Sequence, residues 1–246
     1  DGCSNLRSLT IGAGVLSIGS YQSHPAKVIW LPNTPPYGYT NLAGTINYIP
    51  NNQYSLTNAY IYPFLSSMFE TDGVKYIPIS PSDRTCDVID CIYDSTNLQI
   101  AIDSTVIFQG VEMKTKNIMP YAFYKNDFIR EVSLGNSGNI ENSAFGNCYN
   151  LQTATISNIG TIGLSAFYGC SSLTTARLGD SIKALGDNAF YQCSSLQAIT
   201  IPNSVGSVGM YCFSRCSNMI SAVIGDGLAT IEDYTFQYCR ALESLI

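Results

Sequence analysis

The sequence is short of charge and almost without histidine. Only 12% of its 246 residues are Asp, Glu, Lys or Arg, against 46% hydrophobic, with one histidine and one tryptophan. So much apolar side chain with so little charge excludes disorder and supplies ample material for a buried core. Basic residues are fewer than acidic ones, 12 against 18, for a net charge of −6. No segment gathers the basic patch that a phosphate backbone requires, which excludes nucleic acid as a partner. No apolar run approaches the roughly 20 residues of a membrane helix, so no membrane span is expected in this chain. The one histidine, His24 in YQSHPAK, precedes a proline in loop-like sequence and reads as an ordinary surface residue. A Ser-His-Asp or Cys-His site would have to use it, and nothing beside it supports one. Glycine-rich phosphate loops and His-Glu-x-x-His are missing as well. No pair among the 18 acids stands out as the paired carboxylates of a glycoside hydrolase. No enzymatic activity and no cofactor are therefore expected. The chain also begins at Asp1 without a methionine or signal-like stretch, which reads as a processed or trimmed chain.

A repeat dominates what is there. Alanine-phenylalanine pairs or close substitutes stand at Ala122-Phe123, Ala144-Phe145, Ala166-Phe167, Ala189-Phe190, Cys212-Phe213 and Thr235-Phe236, spaced 22 or 23 residues apart. Three residues after each phenylalanine comes Asn126, then Cys148, Cys170, Cys193, Cys216 and Cys239. Three further on is Ile129, Leu151, Leu173, Leu196, Met219 or Leu242. The chain opens inside the same unit, because Cys3, Leu6, Leu9 and Ile11 match Cys193, Leu196, Ile199 and Ile201. Ala189, Cys193 and Leu196, at i, i+4 and i+7, predict a short helical turn, and the period-two ending Ile199, Ile201 predicts a strand. Pro202 and Asn203 stop that strand, and Val205 and Val208 lead on, with Leu185 and Ile231 matching Val208. One unit cannot bury its apolar face alone, so units stack with their strands parallel about 4.8 Å apart. The expected fold is a repeat solenoid, a right-handed coil of parallel β-strands and short helical turns with 22–23 residues per repeat.

The spacing Leu6, Leu9, Ile11, repeated in Ile129, Val132, Leu134 and in Leu196, Ile199, Ile201, is similar to the Leu-x-x-Leu-x-Leu of leucine-rich repeats. The added AFxxCxxL and IPNSV features resemble the BspA-like branch of that superfamily, bacterial surface and secreted proteins. The resemblance covers about 60% of the chain. It implies an extracellular or cell-surface location and adhesion to a protein partner such as a host matrix or surface protein. The rival class is a carbohydrate-binding or carbohydrate-active parallel β-helix, whose coils are of similar length but mostly strand.

The cysteines of the repeat share one position, so their side chains point the same way. Neighbouring Cβ atoms at least about 4.8 Å apart lie beyond the usual disulfide range of about 3.5–4.5 Å. They read as a ladder of small buried hydrophobes, with Cys212 beside Cys216. Cys86 and Cys91 in RTCDVIDC lie outside it, bridged or free, and Cys-x4-Cys with no second pair is poor zinc spacing, so no metal is expected. In the longer stretch SPSDRTCDVIDCIYDSTN, from residue 80, the Val, Ile, Cys and Tyr content favours a strand, and Asp83, Asp87, Asp90 and Asp94 read as a solvated acidic face.

Three segments follow: residues 1–19, a repeat fragment; 20–117, irregular coils with long loops in the same solenoid, or an inserted domain; and 118–246, regular BspA-like repeats. Between the inward apolar residues of each strand, small polar ones project outward. Thr153, Thr155, Thr175, Arg177 and Thr200 are the candidate binding face. Trp30, Tyr37 and Tyr39 are candidate loop aromatics at one end. A protein partner fits such a flat surface best, with a glycan as the other choice.

Overall fold

The structure, a computed structural model, describes residues 8–11, 27–30, 46–50, 60–62, 69–80, 82–91 and 98–246. Among them the strands are, in chain order, β1 (Ser8–Ile11), β2 (Lys27–Trp30), β3 (Ile46–Pro50), β4 (Tyr60–Tyr62), β5 (Phe69–Thr71), β6 (Val74–Ser80) and β7 (Thr85–Cys91). Next come β8 (Gln99–Ile102), β9 (Thr105–Phe108), β10 (Val111–Ile118), β11 (Glu131–Leu134), β12 (Thr153–Ile156) and β13 (Thr161–Ile162). The last are β14 (Thr175–Leu178), β15 (Ala184–Leu185), β16 (Ala198–Ile201), β17 (Ser207–Val208), β18 (Ser221–Ile224) and β19 (Ser244–Leu245).

The period-two segments build a seven-stranded parallel sheet in the order β19-β18-β16-β14-β12-β11-β8. Register is held residue for residue: Val132 lies beside Ile100 and Ala154, and Leu134 beside Ile102 and Ile156. These inward columns are buried. A second, narrower parallel sheet, β13-β15-β17, carries Ile162, Leu185 and Val208 in line. Bridges from Ile118 to Ile140 and from Ile140 to Ile162 extend that line to the end of β10. The matching Ile231 of the last repeat is 46% exposed. Between the two sheets the phenylalanines stack face to face. Ring centroids from Phe123 through Phe145, Phe167, Phe190 and Phe213 to Phe236 are 4.7–5.5 Å apart.

The helical turns expected from Ala189, Cys193 and Leu196 are not formed; among the described residues none is helical. In their place stand consecutive tight turns. The amides of Ala189, Tyr191, Cys193 and Leu196 each donate to the carbonyl three residues back. The alternate amides, of Asn188, Phe190 and Gln192, donate across to Met210, Cys212 and Ser214 of the next coil. Asn188 and Gln192 take left-handed backbone angles, φ 56° and 62°, as do the equivalent residues of every repeat from Tyr121 onward. Two left-handed residues per coil exclude a helix, yet three-residue turn bonds place side chains inward at spacings that mimic one.

Before the regular coils the chain makes hairpins. β5 and β6 join through Asp72-Gly73 and β9 and β10 through Gln109-Gly110, with φ positive at all four residues, as two-residue hairpin turns require. β6 pairs antiparallel with β7, and β7 parallel with β10. β1 to β4 form a separate four-stranded sheet in that order. Thr85–Cys91 is a strand, as its β-branched content favours, but every residue of it is buried. That overturns the solvated acidic face: Asp87 is 5% and Asp90 4% exposed, and of the three described aspartates only Asp83 faces solvent. Asp87 accepts the Asn117 amide at 2.8 Å, and Asp90 pairs with Lys75 at 3.6 Å. Asp94 lies outside the described residues.

Candidate functional site

Each strand of the seven-stranded sheet turns its remaining residues outward, and parallel register lines these up from coil to coil. One outward column runs Gln99, Glu131, Thr153, Thr175 and Ala198; the other begins Ala101, Ser133, Thr155 and Arg177. Thr153, Thr155 and Thr175 are half-buried by their neighbours, while Arg177 and Thr200 are exposed. Gln99 donates to Glu131 at 3.1 Å across the face. Further along, Thr200 lies beside Val223, which is 41% exposed. Between β14 and β16, Thr175 opposite Ala198 is the registered pair, and beside it opens a cleft of about 240 Å³ lined by Ala176, Arg177, Leu178, Ala198, Ile199 and Thr200. The five candidate residues thus share one surface. Trp30 ends β2, opposite Ile11 in register; its side chain, and Tyr37 and Tyr39, lie outside the described residues.

The cysteines lie on the inside. Cys148, Cys170, Cys193, Cys212 and Cys216 are fully buried and free, and Cys239 is half-buried. Each thiol of the column donates to the phenylalanine carbonyl of the preceding coil: Cys148 to Phe123 at 3.0 Å, Cys170 to Phe145 at 3.1 Å, Cys193 to Phe167 at 3.3 Å. Cys216 and Cys239 repeat the bond to Phe190 and Phe213. Burial pushes these thiols up from their ordinary range, that of Cys239 to about 11. Such protonated thiols tie coils together and are poor nucleophiles. Asn126, which replaces cysteine in its repeat, accepts the amides of Phe128 and Ile129 and donates to Cys91 Sγ at 3.2 Å. Cys91 therefore abuts the column that the sequence places it outside. Cys86 and Cys91 are not bridged to each other, and burial raises the Cys86 thiol to about 12.

A second concave site went unnoticed in the sequence. At the corner where the tight turns lead toward the long sheet, Gln192, Ser194, Arg215, Ser217, Tyr238 and Arg240 line an open cavity of about 440 Å³. The signal that could have found it is the 23-residue spacing of Gln192, Arg215 and Tyr238, which stacks them rung on rung. Among the described residues there is no group of three metal-ligating side chains, and no helix long and apolar enough to cross a membrane.

The BspA type leucine rich repeat region matches residues 116–243 in six copies. A leucine-rich repeat protein from Bacteroides ovatus ATCC 8483 is similar in structure, with TM-score 0.57 and 24% identity over 72% of this chain and 52% of that one. A leucine rich cell surface protein from Faecalibacterium prausnitzii A2-165 gives 0.51 and 22% over 72% and 42%. The T. pallidum leucine-rich repeat protein gives 0.50 and 19% over 72% and 80%. These likenesses show the fold. The chain spans about half the length of the first two. No curated protein matches it.

Proposed function

The chain belongs to the BspA-type leucine-rich repeat family, a family of bacterial surface proteins, and we propose that it is an extracytoplasmic protein-binding or adhesion module whose partner is a host matrix or surface protein. The observation that carries this reading is the outward face of the long sheet. Thr153, Thr155, Thr175, Arg177 and Thr200 offer hydroxyls and one cation on a surface continuous across stacked strands. Small side chains cost little to desolvate and order on binding, so an extended partner can lie along the columns with many weak contacts. Arg177, exposed at the cleft between β14 and β16, supplies the cationic anchor. Leucine-rich repeats are typically binding modules without catalysis, which accords with this use. Residues 20–117 are taken as part of the same solenoid, a view supported by β8, which lies in register beside β11 as a rung of the long sheet.

The test is binding of matrix proteins to the parent and to a variant carrying Thr155→Arg with Thr175→Glu. The two substitutions put bulk and charge on neighbouring columns without touching the core. Loss of at least about tenfold in affinity, roughly 1.4 kcal/mol, is expected for a folded double variant. Equal binding by parent and variant would remove the sheet face from consideration. A second variant, Tyr37→Ala with Tyr39→Ala, asks whether the aromatic segment contributes.

A further inference from the structure

The corner cavity has a chemistry unlike that of the sheet face. Its lining residues occupy two positions of the repeat: Gln192, Arg215 and Tyr238 lie two residues past the phenylalanine, and Ser194, Ser217 and Arg240 one past the cysteine. Stacking of the coils therefore brings residues 23 apart into one wall. Left-handed backbone at Gln192, Arg215 and Tyr238, φ 60–62°, fixes the direction in which these side chains leave the turn. The Arg215 amide is tied to the Gln237 carbonyl at 2.8 Å. Its guanidinium lies 5.9 Å from the Tyr191 ring centre and 5.2 Å from that of Tyr238, held by cation–π contact with both rings. Tyr191 in turn stacks on Tyr168 at 5.1 Å. Arg215 is thus positioned in advance, so binding through it costs little side-chain entropy.

Two arginines in one cavity of a chain with net charge −6 call for an anion. Among the described residues neither guanidinium has a carboxylate within ion-pair distance. Among the described residues the lining contains an amide, two hydroxyls, two guanidiniums and a half-exposed tyrosine, with no aliphatic side chain. An apolar peptide anchor would gain nothing there. A ring bearing several hydroxyls and one carboxylate would find a partner for each group: a planar fork for the carboxylate, amide and hydroxyls for the ring oxygens. The volume lies within the about 300–1,000 Å³ of small-ligand sites. We propose that the cavity lined by Gln192, Ser194, Arg215, Ser217, Tyr238 and Arg240 binds an acidic saccharide, a sugar residue carrying a carboxylate. The site is separate from the sheet face and does not depend on it.

The experiment is titration of the whole chain, followed by calorimetry and ligand-observed NMR, with trigalacturonate and with the methyl glycoside of N-acetylneuraminic acid. The methyl ester of trigalacturonate removes the charge and keeps the sugar; sodium acetate keeps the carboxylate and removes the sugar; a tetraglutamate peptide offers carboxylates on a different scaffold. Binding of at least one acidic saccharide is expected, weakened about tenfold or more by esterification and by either Arg215→Gln or Arg240→Gln in variants that melt like the parent. Thr155→Arg with Thr175→Glu should leave it unchanged, which separates this site from the sheet face. The proposal is overturned if neither saccharide binds, if ester or acetate binds as well as the acid, if tetraglutamate binds more tightly, or if folded arginine variants bind as the parent does. Should both arginine variants misfold, the comparison of acid with ester on the parent still decides.

Discussion

Asp87 occupies the middle of a strand with no exposed residue and accepts one backbone hydrogen bond, from Asn117. Burial raises its carboxyl from 3.8 to about 6; the Asn117 bonds and Lys116 oppose the rise, and Glu141 adds to it. Because the folded value lies above the unfolded one, the fold favours the protonated acid. The stability this contributes is fully present below about pH 4 and is lost as the pH climbs through 6. At neutral pH the fold then carries a buried carboxylate, at a cost of up to about 3 kcal/mol for a shift of some two units. Asp87→Asn keeps the acceptor for Asn117 and removes the charge. It is expected to stabilise the protein by about 1–3 kcal/mol at pH 7 and hardly at all at pH 4, as read from urea unfolding at the two pH values. An equal effect at both would show that Asp87 carries no such burden. None of this was legible in DRTCDVIDCIYD, where four aspartates in a short span look like a wetted surface. β7 is flanked by β6 and β10, and Asn117, at the end of β10, lies thirty residues along the chain, beyond the reach of any local pattern.

The tight turns are where local pattern and backbone part company. Ala189, Cys193 and Leu196 face inward as their spacing demands, and that much was legible. The hand of the backbone was not, because Asn188 and Gln192 are ordinary polar residues that a helix would tolerate. Left-handed angles for such residues cost about 1–3 kcal/mol and persist only when surrounding bonds hold them; here the Asn188 and Gln192 amides are each fixed to the next coil at 2.9 Å. Gly169, at the position equivalent to Gln192, shows that the turn accepts a residue without a side chain. Asn188→Val places a β-branched residue in that region and should cost about 1–3 kcal/mol. Asn188→Gly should remain within about 1 kcal/mol of the parent, relief of strain offsetting added freedom in the unfolded chain. Comparable melting of the two variants would mean that the left-handed turn is not enforced. The same turns explain the uneven legibility of the two surfaces. Alternation along a strand exposes Thr153 and Thr155 to any reader of period two. The corner cavity depends on matching Gln192, Arg215 and Tyr238, three unlike residues aligned only by the 23-residue repeat.

From residue 118 onward the coils form a line in which each touches its neighbours: two parallel sheets, a column of thiols donating to the carbonyls of the preceding coil, and a stack of rings. Phe190 sits inside that stack, fully buried, 5.1 Å from Phe167 and 5.4 Å from Phe213. Its backbone bonds, from its amide to Cys212 and from Cys193 and Cys216 to its carbonyl, survive removal of the ring, so Phe190→Ala isolates the side chain. Neighbouring rings are held by their own coils and cannot close the gap. The cost is expected to be about 3–5 kcal/mol. In a chain of nearest-neighbour couplings the loss should also be local in its dynamics. Hydrogen exchange should quicken most at the amides that bridge coils beside the gap, Phe167, Phe190 and Phe213, and least at Glu131–Leu134 near the other end of the long sheet. A variant that melts within about a degree of the parent would show that the stack is not core. Equal loss of protection from Glu131 to Leu245 would instead show one indivisible unit, in which changes at the corner cavity and at the far rungs of the sheet face could not be separated by mutation.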